Sequence, residues 1–305
     1  MSALAFAILA LLLVGPVPAI LARADWPLRA PRAAIVLWQS IAIAAVLSAF
    51  SAGLAIASRL FLPDSDGLPS ADPIDALHRL GWAQWLIHLV VLGLTLLVGV
   101  RLAVAGVRVA IGTRRRRAHH RMLVDLLGVN RGALRILAID QPLAYCLPGM
   151  RSRVVVSDGT LSTLGDPEMA AILSHERAHL RARHDLVLEA FTAVHAAFPR
   201  FVRSASALDA VRLLVELLAD DAAVRATGPT PLARALVACA AGPRPSGALA
   251  AGGPTTVLRV QRLAGKPNSP WLCAAAYVGA VAVLVVPTLA VAVPWLTELQ
   301  RLLSR

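Results

Sequence analysis

Asp166-Pro167-Glu168-Met169-Ala170-Ala171-Ile172-Leu173-Ser174-His175-Glu176-Arg177-Ala178-His179 carries two histidines four residues apart, with a glutamate directly after the first. Asp166 is an N-cap residue type, Pro167 suits the first helical position and Glu168 adds an acid to the first turn, so a helix opens here. Residues four apart on a helix share a face, so His175 and His179 can bring both imidazoles to one metal ion. Glu176 then reaches a water held by that ion. Zinc brings such a water to a pKa near ~7, and a carboxylate can take its proton as the oxygen attacks a peptide carbonyl.

A catalytic zinc takes three protein ligands and keeps one position open. Asp185 stands where an HExxHxxGxxH-type pattern places its last ligand. That pattern needs a glycine to break the helix, and Ala182 occupies the position, so the helix is expected to continue and Asp185 is set aside. Glu189 is then about 15 Å beyond His179 along the helix. Glu298 follows the last apolar stretch. Glu216 remains, in Glu216-Leu217-Leu218-Ala219-Asp220, within an apolar run on a separate helix. Asp220, one turn further on the same face, is placed to orient a ligand histidine.

The rest of the chain sets this site beside a membrane. Of its 305 residues 57% are apolar and 16% charged, with a mean hydropathy of +0.68. A soluble domain is nearer a quarter charged. The same figures exclude disorder and collagen, and three cysteines without a CxxC pair exclude a disulfide scaffold. They read as free buried thiols. The net charge of +12 is carried by arginine, with Lys266 the one lysine. These arginines lie beside apolar runs, and no nucleic-acid-binding motif accompanies them, so nucleic acid is not an expected partner.

Four apolar stretches reach the roughly 20 residues needed to span a bilayer: about 3–22, 33–58, 82–100 with a continuation to 111, and 271–296. The first lacks the basic start of a signal peptide and reads as a retained span. Trp82, Trp85, Trp271 and Trp295 lie near span ends, where interfacial aromatics belong. His88, inside the third span, reads as a packing histidine. Arg23, Arg29 and Arg32 follow the first span, Arg114-Arg115-Arg116-Arg117 follow the third, and Arg262 and Lys266 precede the fourth. Asp64, Asp66, Asp72 and Asp75 fill the 62–80 loop, with Arg59 and Arg79 at its edges. The positive-inside rule then places residues 113–270 in the cytoplasm of a bacterial inner membrane, with both termini and the 62–80 loop outside. The four arginines read as membrane anchoring. The expected organisation is 1–112 as three spans, 113–270 as a cytoplasmic zinc peptidase domain, and 271–305 as the fourth span and tail.

Within the insert, 118–127 reads as a helix, Leu134–Ile139 and Val154–Val156 with their neighbours as strands, and 185–198 and 206–227 as helices. The glycine- and proline-rich 241–256 stretch reads as a loop. The fold class expected is an α-helical membrane protein with a mostly helical α+β domain inserted between the third and fourth spans.

HExxH at 175–179 followed by ExxAD at 216–220 resembles the signature of gluzincin membrane peptidases of the HtpX and CAAX-prenyl-protease type, and of the related BlaR/MecR-type antirepressor peptidases. The four-span layout and the run Leu147-Pro148-Gly149, Val154 to Thr160 and Leu164 are similar to the BlaR/MecR type. The resemblance covers about residues 82–296 and is specific over 145–225. It implies one Zn2+ per chain held by His175, His179 and Glu216, with Glu176 as catalytic base. It also implies that Val154, Val155 and Val156 form an edge strand that pairs with a substrate backbone. The antirepressor receptors carry an extracellular penicillin-binding sensor after the fourth span; this sequence stops nine residues after Leu296, so no β-lactam sensor is expected.

The expected activity is zinc-dependent endoproteolysis of a cytoplasmic or membrane-proximal protein. A transcriptional repressor is one substrate the resemblance offers, with the signal arriving through the spans or a partner membrane protein. The alternatives are HtpX-like quality control of membrane proteins and a signalling scaffold with a vestigial metal site.

Overall fold

The computed structural model describes residues 2–61, 77–78, 80–132, 134–149, 152–198, 205–240, 254–265 and 269–303. The acidic 62–76 stretch, Arg79, the 241–253 stretch and Lys266 lie outside the described residues, as do the side chains of Arg59 and of 290–303, including Trp295 and Glu298.

The first apolar stretch is two helices, α1 (Ser2–Val14) and α2 (Pro16–Arg23). Pro16 and Pro18 each lack a backbone donor, so the chain bends after Gly15 instead of running straight. Helix α3 spans Pro31–Ala57. Helix α4 runs unbroken from Trp82 to Leu127, 46 residues, or about 70 Å. The third apolar stretch and the helix expected at 118–127 are therefore one element, and the boundary at 112–113 falls inside it. Such a helix is more than twice the ~30 Å hydrocarbon core, so its last turns, with the four arginines, project beyond any bilayer it crosses.

Among the described residues, four helical segments are long and apolar enough to cross a membrane: 3–23, 31–57, 82–127 and 270–289. Leu94, Leu97, Val278 and Val281 are exposed on α4 and the last helix. Water would penalise these faces, and a bilayer would cover them. His88 bonds within its own helix, its Nδ1 lying 2.6 Å from the Gln84 carbonyl.

Among the described residues, four short strands follow α4, β1 (Val129–Arg131), β2 (Leu134–Leu137), β3 (Ala144–Leu147) and β4 (Arg153–Ser157), in the order β1-β2-β4-β3. Strand β4 pairs parallel with β2 and antiparallel with β3. Val154, Val155 and Val156 are at most 4% exposed. They do not form an edge strand: a run of three adjacent β-branched residues is covered on both faces and belongs in a sheet's interior. The sheet has two edges, β1 and β3, and the second carries Cys146. Ser157 donates its N–H to Leu143 at 2.9 Å, which makes that residue pair hydrogen-bonded. Pairs alternate in an antiparallel ladder, so Ala144 and Cys146 turn their N–H and C=O away from β4.

The helices that follow are α5 (Asp158–Thr163), α6 (Asp166–Arg181), α7 (His184–Ala197), α8 (Ala205–Thr227), α9 (Pro229–Ala240), α10 (Pro254–Leu263) and α11 (Pro270–Leu303). Pro254–Thr256, expected in a loop, begin α10. Ser157 caps α5 by accepting the Thr160 N–H at 3.1 Å.

Helix α8 packs directly on α3. Val211, Leu214, Val215 and Leu217 share a buried cluster with Trp38, Ile41, Ala44 and Ala45. Arginines add further ties. Arg101 Nε donates to the Ala197 carbonyl at 3.0 Å, and Arg262 Nε donates to the Leu28 carbonyl at 2.6 Å. Arg117, read as a membrane anchor, instead turns towards α7, 3.0 Å from Asp185 and 3.7 Å from Glu189.

Candidate metal centre

Three helices meet at the centre. Helix α6 carries His175, Glu176 and His179, α8 carries Glu216 and Asp220, and α10 carries Arg259. Helix α6 begins one residue earlier than the sequence predicts: Gly165 is its N-cap, without a side-chain cap bond, and Asp166, Pro167 and Glu168 lie in its first turn. Its buried face is Ala171, Ile172, His175, Glu176, Ala178 and His179, which is the i, i+4 stripe that packs against α8 and β3.

His175 Nε2 and His179 Nε2 lie 3.1 Å apart. The Glu216 carboxylate completes a triangle of side chains, turning one oxygen to each ring: Oε2 is 3.4 Å from His175 Nε2 and Oε1 is 3.6 Å from His179 Nε2. Zinc bonds of ~2.0–2.1 Å in tetrahedral directions separate neighbouring donors by about 3.3 Å. The three edges fit that face, and among the described residues these three side chains form the one group of metal-ligand type. Glu216 Oε2 is buried without a hydrogen bond. Its charge already faces the Arg259 guanidinium 3.0 Å away, and a cation held with the two imidazoles would give this oxygen the bond it lacks.

His175 Nδ1 lies 3.0 Å from Asp220 Oδ1. Arg259 grips Asp220 with two bonds, Nε to Oδ2 at 2.8 Å and Nη2 to Oδ1 at 2.6 Å. Its Nη1 stands 3.0 Å from Glu216 Oε2. Arg259 is 1% exposed, so its charge is neutralised here or nowhere. His179 Nδ1 lies 3.0 Å from His184 Nδ1.

Helix α6 does not continue through Ala182. It stops at Arg181, and Arg183 adopts φ 52°, a left-handed conformation that costs a non-glycine residue about 1 kcal/mol or more. The turn is made without the glycine expected for it. It returns His184 to the site and sends Asp185 to Arg117, leaving Asp185 outside the triangle. Glu189 also turns to Arg117.

The sequence reading brings together His175, Glu176, His179, Glu216 and Asp220, and the structure places all five at one point. It misses two neighbours, His184 and Arg259. Val154–Val156 lie one strand further from the site than expected. On β3, Cys146 hydrogen-bonds Glu176. Burial pushes that thiol well above its usual range, with Glu176 adding to the effect. The three cysteines are free and partly buried.

The charges respond to the crowding. Burial pushes Glu176 up to about 7 against the pull of His175. Burial and the His175 charge take His179 down to about 3. Burial would also lower His175, but its contacts with Asp220 and Glu216 prevail and raise it to about 9. Glu216 is held down at about 2 by His175, against its burial.

A pH dependence follows for the metal-free protein. A histidine raised above its unfolded value stabilises the fold fully below pH ~6.5. That contribution disappears as pH rises through about 9. The melting temperature of chelator-treated protein is expected to fall between pH 7 and 9. Zinc must also displace this proton, so its apparent affinity rises by up to tenfold per pH unit over the same window. A flat melting profile, with pH-independent zinc affinity, contradicts the assignment of the proton to His175.

A family model described as Peptidase family M48 matches residues 114–266, about half of the chain. No curated protein matches the chain, and no solved structure does.

Proposed function

The chain belongs to peptidase family M48, and on that premise we propose that it is an integral-membrane zinc endopeptidase with His175, His179 and Glu216 as metal ligands and Glu176 as catalytic base. The observation that supports this most is the convergence of two imidazole Nε2 atoms 3.1 Å apart with the Glu216 carboxylate, whose two oxygens lie 3.4 and 3.6 Å from them, next to the buried Glu176. Zinc, when bound there, supplies a Lewis acid that acidifies a water and polarises the scissile carbonyl.

The chain's own groups do the rest. Glu176 takes the water's proton as the oxygen adds to the peptide carbonyl, and passes it to the departing amine as the C–N bond breaks. Burial sets its proton affinity near neutrality, where an acid-base group works best. The Cys146 thiol, donating to this carboxylate, holds it in place. Asp220 orients His175 through Nδ1, and Arg259 fixes Asp220 in turn. The substrate strand pairs with the free edge of β3, where Ala144 and Cys146 present N–H and C=O groups. This edge replaces Val154–Val156 in the role that the resemblance implies.

The four candidate spans support a membrane enzyme. Arginines at 114–117 and at 23, 29 and 32 support a cytoplasmic peptidase domain over residues 113–270, with both termini outside the bacterial inner membrane. The resemblance of HExxH and ExxAD supports two substrate classes, a cytoplasmic repressor in a signalling pathway or damaged membrane proteins.

The test is hydrolysis of an unstructured reporter polypeptide by the full chain in liposomes. The proposal expects cleavage that stops on chelation and returns with about one equivalent of zinc. Cleavage unaffected by chelation, or none by zinc-loaded protein across a peptide library, overturns it.

A further inference from the structure

We propose that His184 is the positioning residue for the second metal-ligand histidine, acting as a neutral hydrogen-bond acceptor for His179 Nδ1–H. The inference rests on the metal-site reading above and extends it to a residue that the motif pair does not contain.

Two imidazole nitrogens 3.0 Å apart cannot both donate or both accept. His179 turns Nε2 towards His175 and Glu216, so Nε2 is the atom free to bind a metal. A neutral imidazole that ligates through Nε2 carries its proton on Nδ1. His179 is therefore the donor of the pair. His184 must then be neutral, with a bare Nδ1 and its proton on Nε2.

The surroundings keep it there. His184 is 5% exposed, and its ring meets that of His179 edge-on, with centroids 5.0 Å apart. Its position depends on the left-handed Arg183. In an unbroken helix a residue five on from His179 would point well away from it, since each residue turns the helix by about 100°. The turn at Ala182–Arg183 brings the ring back.

The two ligand histidines thus have unlike supports. His175 faces the Asp220 carboxylate, while His179 faces an uncharged imidazole. A carboxylate partner makes its histidine a stronger donor to the metal. A neutral partner fixes the ring and its tautomer and adds no negative charge. Glu176, Glu216 and Asp220 already share Arg259 in this buried space, and a fourth carboxylate would have no further cation to meet.

The experiment measures zinc affinity by chelator competition, on full-length protein in detergent, for wild type, His184→Leu and His184→Asn. The cobalt-substituted absorption spectrum is recorded alongside. Leucine fills the ring's space without an acceptor; asparagine places its Oδ1 near the position of Nδ1 and can accept. The proposal expects a ~10–100-fold loss of zinc affinity in His184→Leu, recovery in His184→Asn to within a few-fold of wild type, and a cobalt spectrum altered only in the leucine variant. Wild-type affinity in His184→Leu, or equal losses in both variants, overturns it and assigns His184 to packing alone. Absence of zinc binding by wild type would instead sink the three-ligand site itself.

Discussion

Glu176→Gln is expected to lower kcat by about 10²–10⁴-fold, the contribution of a positioned proton-transfer group, while KM and bound zinc stay unchanged. Glutamine keeps the shape of a side chain that is 2% exposed, so packing between α6 and β3 survives. It can still accept the Cys146 thiol bond through its carbonyl oxygen. What it loses is the ability to take a proton from water and return it to the leaving amine. The comparison that isolates this is steady-state hydrolysis with metal content measured on the same sample. A variant with full zinc and activity within tenfold of wild type would remove Glu176 from the role of base. A variant that loses zinc would mean that Glu176 holds the metal rather than the proton.

Arg259→Met is expected to produce the largest loss of stability. Arg259 is buried at 1% exposure, bonds Asp220 twice and faces Glu216 at 3.0 Å. Methionine keeps much of the apolar stem but leaves two buried carboxylates with only His175 as a cationic partner. Breaking a buried ion pair on one side costs about 3–5 kcal/mol, or on the order of 10 °C in melting temperature for a domain of this size. The loss should be greater in chelated protein than in zinc-loaded protein, because a metal in the triangle replaces part of the missing positive charge. Arg259→Lys should recover only part of it, since an ammonium lacks the planar fork that meets both Asp220 oxygens. Melting monitored by intrinsic fluorescence, with and without chelator, decides. A shift under ~2 °C in both states contradicts the account of Arg259 as the counter-ion of the site.

The parts legible in the sequence depend on local periodicity. His175 and His179 share a face because four residues complete roughly one turn, and Asp220 follows Glu216 for the same reason. Glu216 stood out as an acid between Leu213-Leu214-Val215 and Leu217-Leu218. Arg259 carries the same signal, a charge between Leu258 and Val260, and a buried pair of acids needs a cation. It was missed because it comes 39 residues after Asp220, and contacts at such range leave no periodic trace. His184 was illegible for a different reason. The backbone leaves the helix at Arg183, a residue with no special tolerance for φ > 0, so tertiary packing and not local propensity sets the turn.

The sheet shows a third kind of failure. Val154–Val156 was readable as a strand, but its place in the sheet depends on Ala144–Leu147, four residues with weak strand pattern. The adjacent valines did carry the clue, because an edge strand facing solvent would alternate apolar with polar. The arginine run at 114–117 was legible as charge. Only the continuous α4 shows that Arg117 reaches Asp185.

The most direct test of the three-ligand centre is the metal content of the detergent-purified full chain, wild type beside His175→Ala and Glu216→Ala. The account predicts about one zinc per chain in wild type, with loss or marked weakening in both variants while each remains folded by circular dichroism. Wild-type protein that holds no metal after zinc is supplied at neutral pH, or a Glu216→Ala variant that keeps its full equivalent, would contradict it.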